Sequence, residues 1–429
     1  MRKIANWIIA GLMITSCVNE KNRIEFKAVQ HIYNSASPAI LSLQRMNDED
    51  KRGTISKLME VGEDGGFPLI ERDTLYSDYV HATFIYIDTT HKHEIECKVS
   101  GILDEPRFGD QKLYQLDSSD LYYRTYMVPD DVCFAYVFAL TDKTTGDREF
   151  VTDPFNKELM PKGERKSFSW SILDLTTNGT DWNSKKYDID SRLDTFQISS
   201  DLLDNTRDIY VYLPADYENR DDKYPIIYLF DSFSYLNRVE VPNILDNLIY
   251  EGKLDPMIAV FIDNPSGTSR KNELPMNPVF KDFIISELIP LIKSKYRITD
   301  NSHETIIGGM SYGGLAATYI AFECDSIFGR VLSHSGSFWR DTVLTDNYNT
   351  WIRNDYLVKR FQKEGKKDLK IYLDWGLQEE WCKDSGRRLA QALSAEEYDY
   401  RFFEFNGWHD LSNARKTFPE ALMYLTGNQ

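Results

Sequence analysis

Residues 304–323 read ETIIGGMSYGGLAATYIAFE, an apolar β-branched stretch followed by glycines and then by an alanine-rich stretch typical of a helix. Between strand and helix lies the pattern G-x-S-x-G, with Ser311 at its centre. In that context the glycines permit a sharp turn, and the serine hydroxyl is exposed at the N-terminus of the helix. The stretch therefore predicts a nucleophilic serine at the carboxyl end of a buried strand. The alternative is a glycine-rich turn with a serine that only caps the helix.

Seven more strand-like segments surround this stretch. Several are near-continuous apolar runs, as is typical of strands buried on both faces of a parallel sheet. Helical segments alternate with them, for example FKDFIISELIPLIKSKY from residue 280. The pattern predicts a doubly wound, mostly parallel α/β sheet of about eight strands, with ligands at the carboxyl ends of the strands. The seven segments are LDTFQIS from 193, RDIYVYLP from 207, PIIYLFD from 225, MIAVFID from 257, RVLSHS from 330, LKIYLDWG from 369 and YRFFEFNG from 400.

A serine at its ordinary pKa is a poor nucleophile and needs a histidine base, which an acid orients. Of the seven histidines, four precede residue 100 and lie far from the predicted sheet. His303 precedes a strand, at the wrong end of the sheet, and His334 comes before any acid that could follow the serine. His409, in NGWHD after the last strand, fits the chain order serine, acid, histidine. We therefore expect His409 to be the base; the alternative is a core histidine that caps the final helix.

The acid is expected in LKIYLDWGLQEEW, in the turn after the seventh strand. Asp374 lies inside the strand and can point away from the site. Glu379 lies where the loop leaves the strand, which makes it the preferred acid, with Glu380 as its main competitor.

Two backbone N–H groups are expected to form the oxyanion hole. One belongs to Tyr312, the residue after the predicted nucleophile. The other should come from the turn after PIIYLFD, from Ser232 or Phe233.

Basic and aromatic side chains in loops at the same edge of the sheet are candidates for binding substrate. The predicted substrate-binding residues are Arg270, Trp339, Arg340, Trp408 and Arg415. The alternatives are paired surface charges and ordinary packing.

The first half of the chain has a different period. From about residue 80 to residue 140, runs such as HATFIYID and VCFAYVFAL alternate with period two and are separated by turn formers, which predicts an antiparallel sandwich. Residues 150–190 are rich in charge and turn formers, so the connection between domains is expected there. Cys97 and Cys133 fall on neighbouring strand-like runs and are expected to be buried thiols rather than a disulfide.

The first seventeen residues are expected to be a targeting signal rather than part of the folded domains. MRKIANWIIAGLMITSC has a basic start, a short apolar run and small residues, which predicts a secretory signal peptide. Its end resembles the bacterial lipobox, so Cys17 is expected to be lipidated. The protein is therefore expected to be an exported lipoprotein, held to the periplasmic side of a membrane or to the cell surface by its lipid anchor alone.

Composition narrows the function further. The chain has 429 residues and a formal net charge of −17, which argues against a protein that neutralises nucleic-acid phosphates or anionic lipids. Five scattered cysteines without a CxxC pair suggest neither a disulfide framework nor a zinc site. No metal or organic cofactor is implied.

Taken together, these motifs resemble the esterase-D group of α/β hydrolases, and within it the enterochelin (ferric enterobactin) esterases. The resemblance covers roughly residues 60–429. It rests on YLFDSFSYL, on VFIDN followed by SRKNEL, on GGMSYGGLAA, on FGRVLSHSGSFW and on GWHD. Gly376-Leu377-Gln378-Glu379 is similar to the turn that carries the family's acid, which supports Glu379.

The resemblance implies an α/β hydrolase preceded by an immunoglobulin-like domain, and hydrolysis of the ester bonds of a catecholate siderophore through a Ser-His-Glu triad and an acyl-enzyme. Three positions depart from the family: Ser232 stands for a glycine, Trp408 for a glycine and Ala414 for a tryptophan. The predicted organisation is a signal peptide at 1–16, a tether at 17–45, an immunoglobulin-like domain at 46–165, a linker at 166–192 and a catalytic domain at 193–429.

Two other functions remain open from the sequence. Exported feruloyl and acetyl-xylan esterases resemble the same catalytic domain, so a carbohydrate esterase acting on polysaccharide esters is the first alternative. The second is a lipoprotein that binds its ligand in the same pocket without catalysis, although such a protein has no need for all three catalytic side chains.

Overall fold

A computed structural model describes most of the chain. The residues described are 26–28, 32–64, 66–100, 111–161, 169–177, 181–185, 187–215, 217–219, 221–340 and 355–427. The predicted signal peptide and Cys17 lie outside them. No helix among these residues combines the length and the hydropathy that crossing a membrane requires.

The described residues from 33 to 174 form nine strands and two helices. The strands are β1 (Tyr33–Asn34), β2 (Leu69–Arg72), β3 (Tyr79–Ile87), β4 (His93–Val99), β5 (Tyr114–Gln115), β6 (Leu121–Pro129), β7 (Cys133–Asp142), β8 (Arg148–Val151) and β9 (Ser171–Asp174). The helices are α1 (Pro38–Arg45) and α2 (Asp48–Glu63).

These strands form two antiparallel sheets. One has the order β1-β6-β3-β2, with β5 also paired to β6, and the other has the order β4-β7-β8, with β9 also paired to β7. The sheets share a core in which the rings of Phe84 and Tyr136 lie 4.8 Å apart. Cys97 and Cys133 are buried free thiols in this region, as expected. The period-two pattern thus corresponds to a pair of antiparallel sheets, whose immunoglobulin type stays a prediction.

Residues 32–45 are more ordered than the predicted tether. β1 pairs with β6, and α1 follows Ser37, whose hydroxyl accepts a hydrogen bond from the Ile40 N–H. Ile40 and Leu43 are buried against the strands. The prediction of a tether is wrong for this part, because an eight-residue helix with two buried side chains leaves too short a pattern to recognise.

α2 also corrects the expectation of an all-β domain from residue 46. Its side chains are mostly polar, so the sequence shows little helical periodicity. The helix is well capped nonetheless: the Asn47 side chain accepts hydrogen bonds from the N–H groups of Glu49 and Asp50. Acidic side chains in its first turn also favour a helix N-terminus.

The second half of the described chain alternates strands and helices. The strands are β10 (Arg192–Ser200), β11 (Asn205–Leu213), β12 (Ile226–Phe230), β13 (Ile258–Ile262), β14 (Thr305–Met310), β15 (Arg330–His334), β16 (Lys370–Gly376) and β17 (Asp399–Phe405). The helices are α3 (Ser232–Ser234), α4 (Val241–Tyr250), α5 (Gly267–Glu273), α6 (Pro278–Phe283), α7 (Ile289–Lys295), α8 (Tyr312–Glu323), α9 (Tyr356–Lys363), α10 (Glu380–Ala395) and α11 (Leu411–Thr426). π-helical turns at Tyr235–Val239 and Ile284–Leu288 and 3₁₀ turns at Tyr217–Asn219 and Ser302–Glu304 join some of them.

The eight strands form one sheet of order β10-β11-β13-β12-β14-β15-β16-β17. β10, β11 and β13 pair antiparallel, and every pair from β13 to β17 is parallel. The central strands are buried on both faces, and α6 to α10 cover one face while α4 and α11 cover the other. The eight strand-like segments of the sequence correspond to these eight strands, so the prediction of a mostly parallel, doubly wound sheet is confirmed.

The antiparallel sheets contact the carboxyl edge of the large sheet. The Cys133 N–H donates to the carbonyl of Asn406, and the Asn413 side chain donates to the carbonyl of Cys133, both at 3.0 Å. Trp408 packs edge-on against Phe134 between the two parts, at a ring distance of 5.0 Å. These contacts bring the first half of the chain close to the edge where parallel sheets bind their ligands.

Candidate active site

Ser311 lies at the turn between β14 and α8 with φ of 61° and ψ of −118°. This left-handed backbone is unfavourable for a residue with a side chain, so surrounding contacts must hold it. The Ser311 N–H donates to the carbonyl of His334 at 2.9 Å, and the Ser337 N–H donates to the carbonyl of Ser311 at 3.1 Å. Strain fixed in this way at the end of a buried strand is characteristic of a nucleophile elbow.

Two glycines make the elbow possible by allowing close approach. A Cβ atom at Gly309 would lie 2.6 Å from the carbonyl carbon of Gly313. A Cβ atom at Gly314 would lie 2.5 Å from the Ser333 hydroxyl oxygen. Any larger residue at either position would force the strand and the helix apart.

Glu379 and His409 form a directly bonded pair in which His409 Nδ1 lies 2.6 Å from Glu379 Oε2. The other carboxylate oxygen accepts hydrogen bonds from the Gly376 N–H and the Ser335 hydroxyl, each at 2.7 Å. Glu379 is 7% exposed, and its three partners fix its position. Of the acids that the sequence offered, the structure places Glu379 at His409 and places Asp374 in a separate pair with His334.

The electrostatics of the pair affect its protonation. Burial disfavours the charged imidazolium, but the neighbouring Glu379 carboxylate outweighs it, so the pKa of His409 is raised above its ordinary value. Such a histidine binds a proton strongly once it has accepted it. The pair is therefore suited to take a proton from a hydroxyl and to hold it while charge develops.

Ser311 and His409 line one pocket of about 710 Å³. Ser311 Oγ lies 3.3 Å from Ser337 Oγ, within hydrogen-bonding distance. In the described part of the chain, no hydrogen bond joins Ser311 Oγ to His409. Catalytic hydrogen bonds of this type often become short only when substrate is bound.

The predicted oxyanion turn lies beside this pocket. Tyr312 is the first residue of α8, so its N–H has no acceptor within the helix. Phe233, in the turn after β12, lines the pocket. Ser232 is buried, and its hydroxyl donates to Asp263 at 2.8 Å.

Arg270 lines the pocket, but its charge is already paired. It donates to both carboxylate oxygens of Asp231, from Nε at 2.6 Å and from Nη2 at 2.7 Å. Asp231 has a left-handed backbone at the start of the oxyanion turn, and Asn264 donates to it as well. The ion pair of Arg270 therefore supports this turn, and its guanidinium also lies 5.7 Å from the centre of the Tyr312 ring.

The other predicted substrate-binding residues are placed differently. Trp408 is 4% exposed and belongs to the core shared with the antiparallel sheets, so the structure corrects its predicted role. Arg415 pairs with Glu240 at 2.5 Å. Trp339 and Arg340 contact Tyr312, and neither is among the described residues that line the pocket.

The sequence did not indicate many of the residues that line the pocket, including these four: Ser100, Met160, Trp170 and Arg238. Three of them come from the first half of the chain and lie 141 or more positions before Ser311 in the sequence. No local pattern marks them, because they join the site only through tertiary contacts.

One group of side chains has the spacing of metal ligands. Donor atoms of Glu379, Cys382 and His409 all lie within 4.8 Å of one another. Burial raises the pKa of the Cys382 thiol, which disfavours the thiolate that a metal requires. The carboxylate and the imidazole already bond each other, so these residues fit a proton-transfer pair better than a metal centre.

Comparison with known proteins supports this chemistry. Residues 200–425, more than half of the chain, match the family model described as "Putative esterase". Iron(III) enterobactin esterase of Dickeya dadantii is 24% identical over 388 residues, which cover 80% of this chain and 87% of that protein. An endo-1,4-beta-xylanase/feruloyl esterase of Xylanibacter ruminicola is 26% identical over 130 residues, covering 28% of this chain and 18% of that protein.

A solved structure also shares the fold. Ferric enterobactin esterase from Salmonella typhimurium has a TM-score of 0.71 at 20% sequence identity, over 83% of this chain and 95% of that one. The large mixed sheet is therefore of the α/β-hydrolase type. With the family model matched along β11 to α11, the chain belongs to this esterase family, among the homologues of the enterobactin esterases, and is a carboxylic ester hydrolase.

Proposed function

We propose that the protein is a serine esterase that hydrolyses the ester bonds of ferric enterobactin or a similar catecholate siderophore. The observation that carries the proposal is that His409, hydrogen-bonded to Glu379, lines the same pocket as the strained Ser311. The choice of ester is supported by the enterobactin esterases, since the similarity to the Dickeya protein extends over most of both chains.

In this mechanism Ser311 Oγ attacks the ester carbonyl while His409 Nε2 takes the hydroxyl proton. Glu379 holds Nδ1–H and so keeps the imidazole in the tautomer whose other nitrogen is free to accept. The backbone N–H groups of Tyr312 and of Phe233 stabilise the oxyanion that forms.

The tetrahedral intermediate then collapses, and His409 returns its proton to the departing serine alkoxide of the siderophore backbone. The product of this step is an acyl-enzyme on Ser311. Water, activated by His409, attacks the acyl carbonyl and regenerates the free serine. Iron enters as part of the substrate and takes no part in these steps.

A carbohydrate esterase is the second candidate, because the chain is also similar to a xylanase/feruloyl esterase. That similarity covers 28% of the chain, against 80% for the enterobactin esterase. We place the siderophore first for this reason.

The experiment that separates the candidates uses protein lacking residues 1–17. It is incubated with ferric enterobactin and, separately, with feruloylated and acetylated xylan, and the products are separated by chromatography. We expect linear trimer, dimer and monomer of dihydroxybenzoylserine, all absent with Ser311→Ala. Release of ferulate or acetate alone would replace the siderophore by a polysaccharide ester.

We further propose that the mature protein is exported and anchored by a lipid on Cys17, on the strength of its N-terminal sequence. Membrane fractionation tests this point. The native chain should remain with the membranes, and Cys17→Ser should move it to the soluble fraction; equal partition of both would contradict the anchor.

A further inference from the structure

Arg238 lies in the wall of the pocket, on the π-helical turn Tyr235–Val239 that follows the predicted oxyanion turn. It is 4% exposed. Its Nη1 donates to the carbonyl of Pro161 at 2.6 Å, and its guanidinium lies 5.9 Å from the centre of the Phe233 ring. The side chain is thus held between the catalytic half and the first half of the chain.

The positive charge of Arg238 lacks a counter-charge in the described part of the chain. No carboxylate there lies within ion-pair distance of it, whereas the buried Arg207 pairs with Glu273 at 2.9 Å and Arg270 pairs with Asp231 at 2.6 Å. Burial lowers the pKa of Arg238, and no described acid raises it. A buried cation of this kind is costly unless an anion joins it.

The acids that line the same pocket are each engaged elsewhere. Asp231 accepts from Arg270, Asp263 accepts from Ser232, and Asp410 accepts from the N–H and hydroxyl of Ser412. Among the described residues, no acid of the pocket is therefore left to neutralise Arg238, and an anionic group of a bound molecule is the partner that the open side of the pocket can supply.

The wall next to Arg238 comes from the first half of the chain. The Met160 N–H donates to the carbonyl of Trp170 at 2.8 Å, and both side chains line the pocket. Pro161, which follows Met160, supplies the carbonyl that Arg238 bonds. A thioether, an indole and a guanidinium thus line one pocket, a combination that favours an aromatic group carrying negative charge.

We propose that Arg238, Met160 and Trp170 form a subsite that binds an anionic aromatic group of the ester substrate and selects such esters over neutral ones. A catecholate or an aryl carboxylate has the required chemistry, since its two oxygens can accept from one guanidinium. The inference rests on the proposed hydrolysis at Ser311 and adds the class of ester that is preferred.

Two matched esters test the subsite: 4-nitrophenyl 4-carboxybenzoate, an anion, and 4-nitrophenyl 4-carbamoylbenzoate, its neutral analogue. Dissociation constants are measured by calorimetry in a Ser311→Ala background, and kcat/KM is measured with Ser311 intact. Arg238→Gln retains a donor for Pro161 but removes the charge. We expect it to weaken binding of the anionic ester about 10- to 100-fold and of the neutral ester less than about threefold.

Two further variants distinguish loss of the charge from a change in folding. Arg238→Lys keeps the charge and should restore most of the preference for the anionic ester. Arg330→Gln removes a second arginine whose pKa is lowered by burial, at the amino end of β15 and away from the pocket, and should leave binding of both esters unchanged.

Equal losses for both esters in Arg238→Gln, or an unchanged preference, would overturn the subsite. The proposed function fails separately: an Arg238-dependent preference in binding, with no turnover by the protein that retains Ser311, would keep the subsite and refute the esterase mechanism.

Discussion

Two histidine–carboxylate pairs lie at the carboxyl edge of the same sheet, and they differ in what surrounds them. His409 Nδ1 lies 2.6 Å from Glu379 Oε2, and His409 lines the pocket that contains Ser311. His334 Nδ1 lies 2.7 Å from Asp374 Oδ2, and both of these side chains are 1% exposed. The two pairs thus have nearly the same hydrogen-bond distance, but only the His409 pair is in reach of a molecule in the pocket.

The buried pair of His334 and Asp374 is surrounded by contacts that connect secondary-structure elements. The Thr417 hydroxyl of α11 donates to Asp374 at 2.6 Å, which ties β15, β16 and α11 together. The backbone carbonyls of the pair are used as well: that of His334 accepts from the Ser311 N–H, and that of Asp374 accepts from the Ser335 N–H. A carboxylate beside a histidine therefore does not by itself identify a catalytic base; the imidazole must also line the substrate pocket.

The largest effect is expected from Glu379→Gln. Loss of the carboxylate should lower kcat by about 10²- to 10⁴-fold, because the imidazolium loses its stabilising charge. His409 acts as a base only when neutral, so activity rises with pH through its raised pKa. The variant lowers that pKa, so the acidic limb of the kcat profile should move to lower pH.

Glu380→Gln is the matched control for this prediction, since Glu380 is the next residue along the chain. It should leave both kcat and the pH profile within about twofold of the native values. A loss as large as that of Glu379→Gln would transfer the role of the acid to Glu380.

Asp374→Ala is expected to act on stability instead. Removing the carboxyl leaves His334 and Thr417 without their shared partner in a fully buried site, which should lower the free energy of unfolding by about 3 kcal/mol. Urea unfolding measures this loss, and kcat of the folded protein should fall less than tenfold.

Thr417→Val is a milder change in the same cluster and should cost about 1 kcal/mol. If either variant reduced kcat as strongly as Glu379→Gln without a loss of stability, the buried pair would have a catalytic role. That result would contradict the purely structural role assigned to His334 and Asp374.

The last prediction concerns Asp410, the neighbour of His409, whose effect on stability appears only as pH changes. Burial raises the pKa of Asp410 to about 6, although hydrogen bonds from Ser412 and from the Ala135 N–H oppose the rise. The unfolded chain releases this proton near its ordinary pKa of about 4, so the native state holds more protons between pH 4 and pH 6. The group therefore reduces stability as pH rises through that window.

Asp410→Asn should remove this dependence, by at most about 3 kcal/mol between pH 4 and pH 7. Urea unfolding at a series of pH values, native against variant, measures it. Parallel curves for the two proteins would show that Asp410 titrates normally.

Much of the fold was predictable because the buried strands of a parallel sheet are continuous apolar segments in the sequence. The elbow at Ser311 follows from the pattern G-x-S-x-G between a strand and a helix, and the choice of His409 follows from its position after the last strand. Short elements with few buried side chains, such as α1, leave no such pattern.

The pocket wall was less predictable because side-chain direction depends on tertiary packing. Trp408 and Arg415 lie in the expected loops, yet one is a core residue and the other is paired with Glu240. Trp170 and Arg238 line the same pocket only because the antiparallel sheets lie against the carboxyl edge of the large sheet, and their separation in the sequence gives no sign of it.

The most direct test of the account is covalent labelling with a fluorophosphonate, followed by peptide mass mapping of the adduct. We predict a single adduct on Ser311, formed at least about 100-fold more slowly in His409→Ala and within about tenfold of the native rate in Asp374→Ala. An adduct on another residue, or rapid labelling of His409→Ala together with loss of labelling in Asp374→Ala, would contradict it.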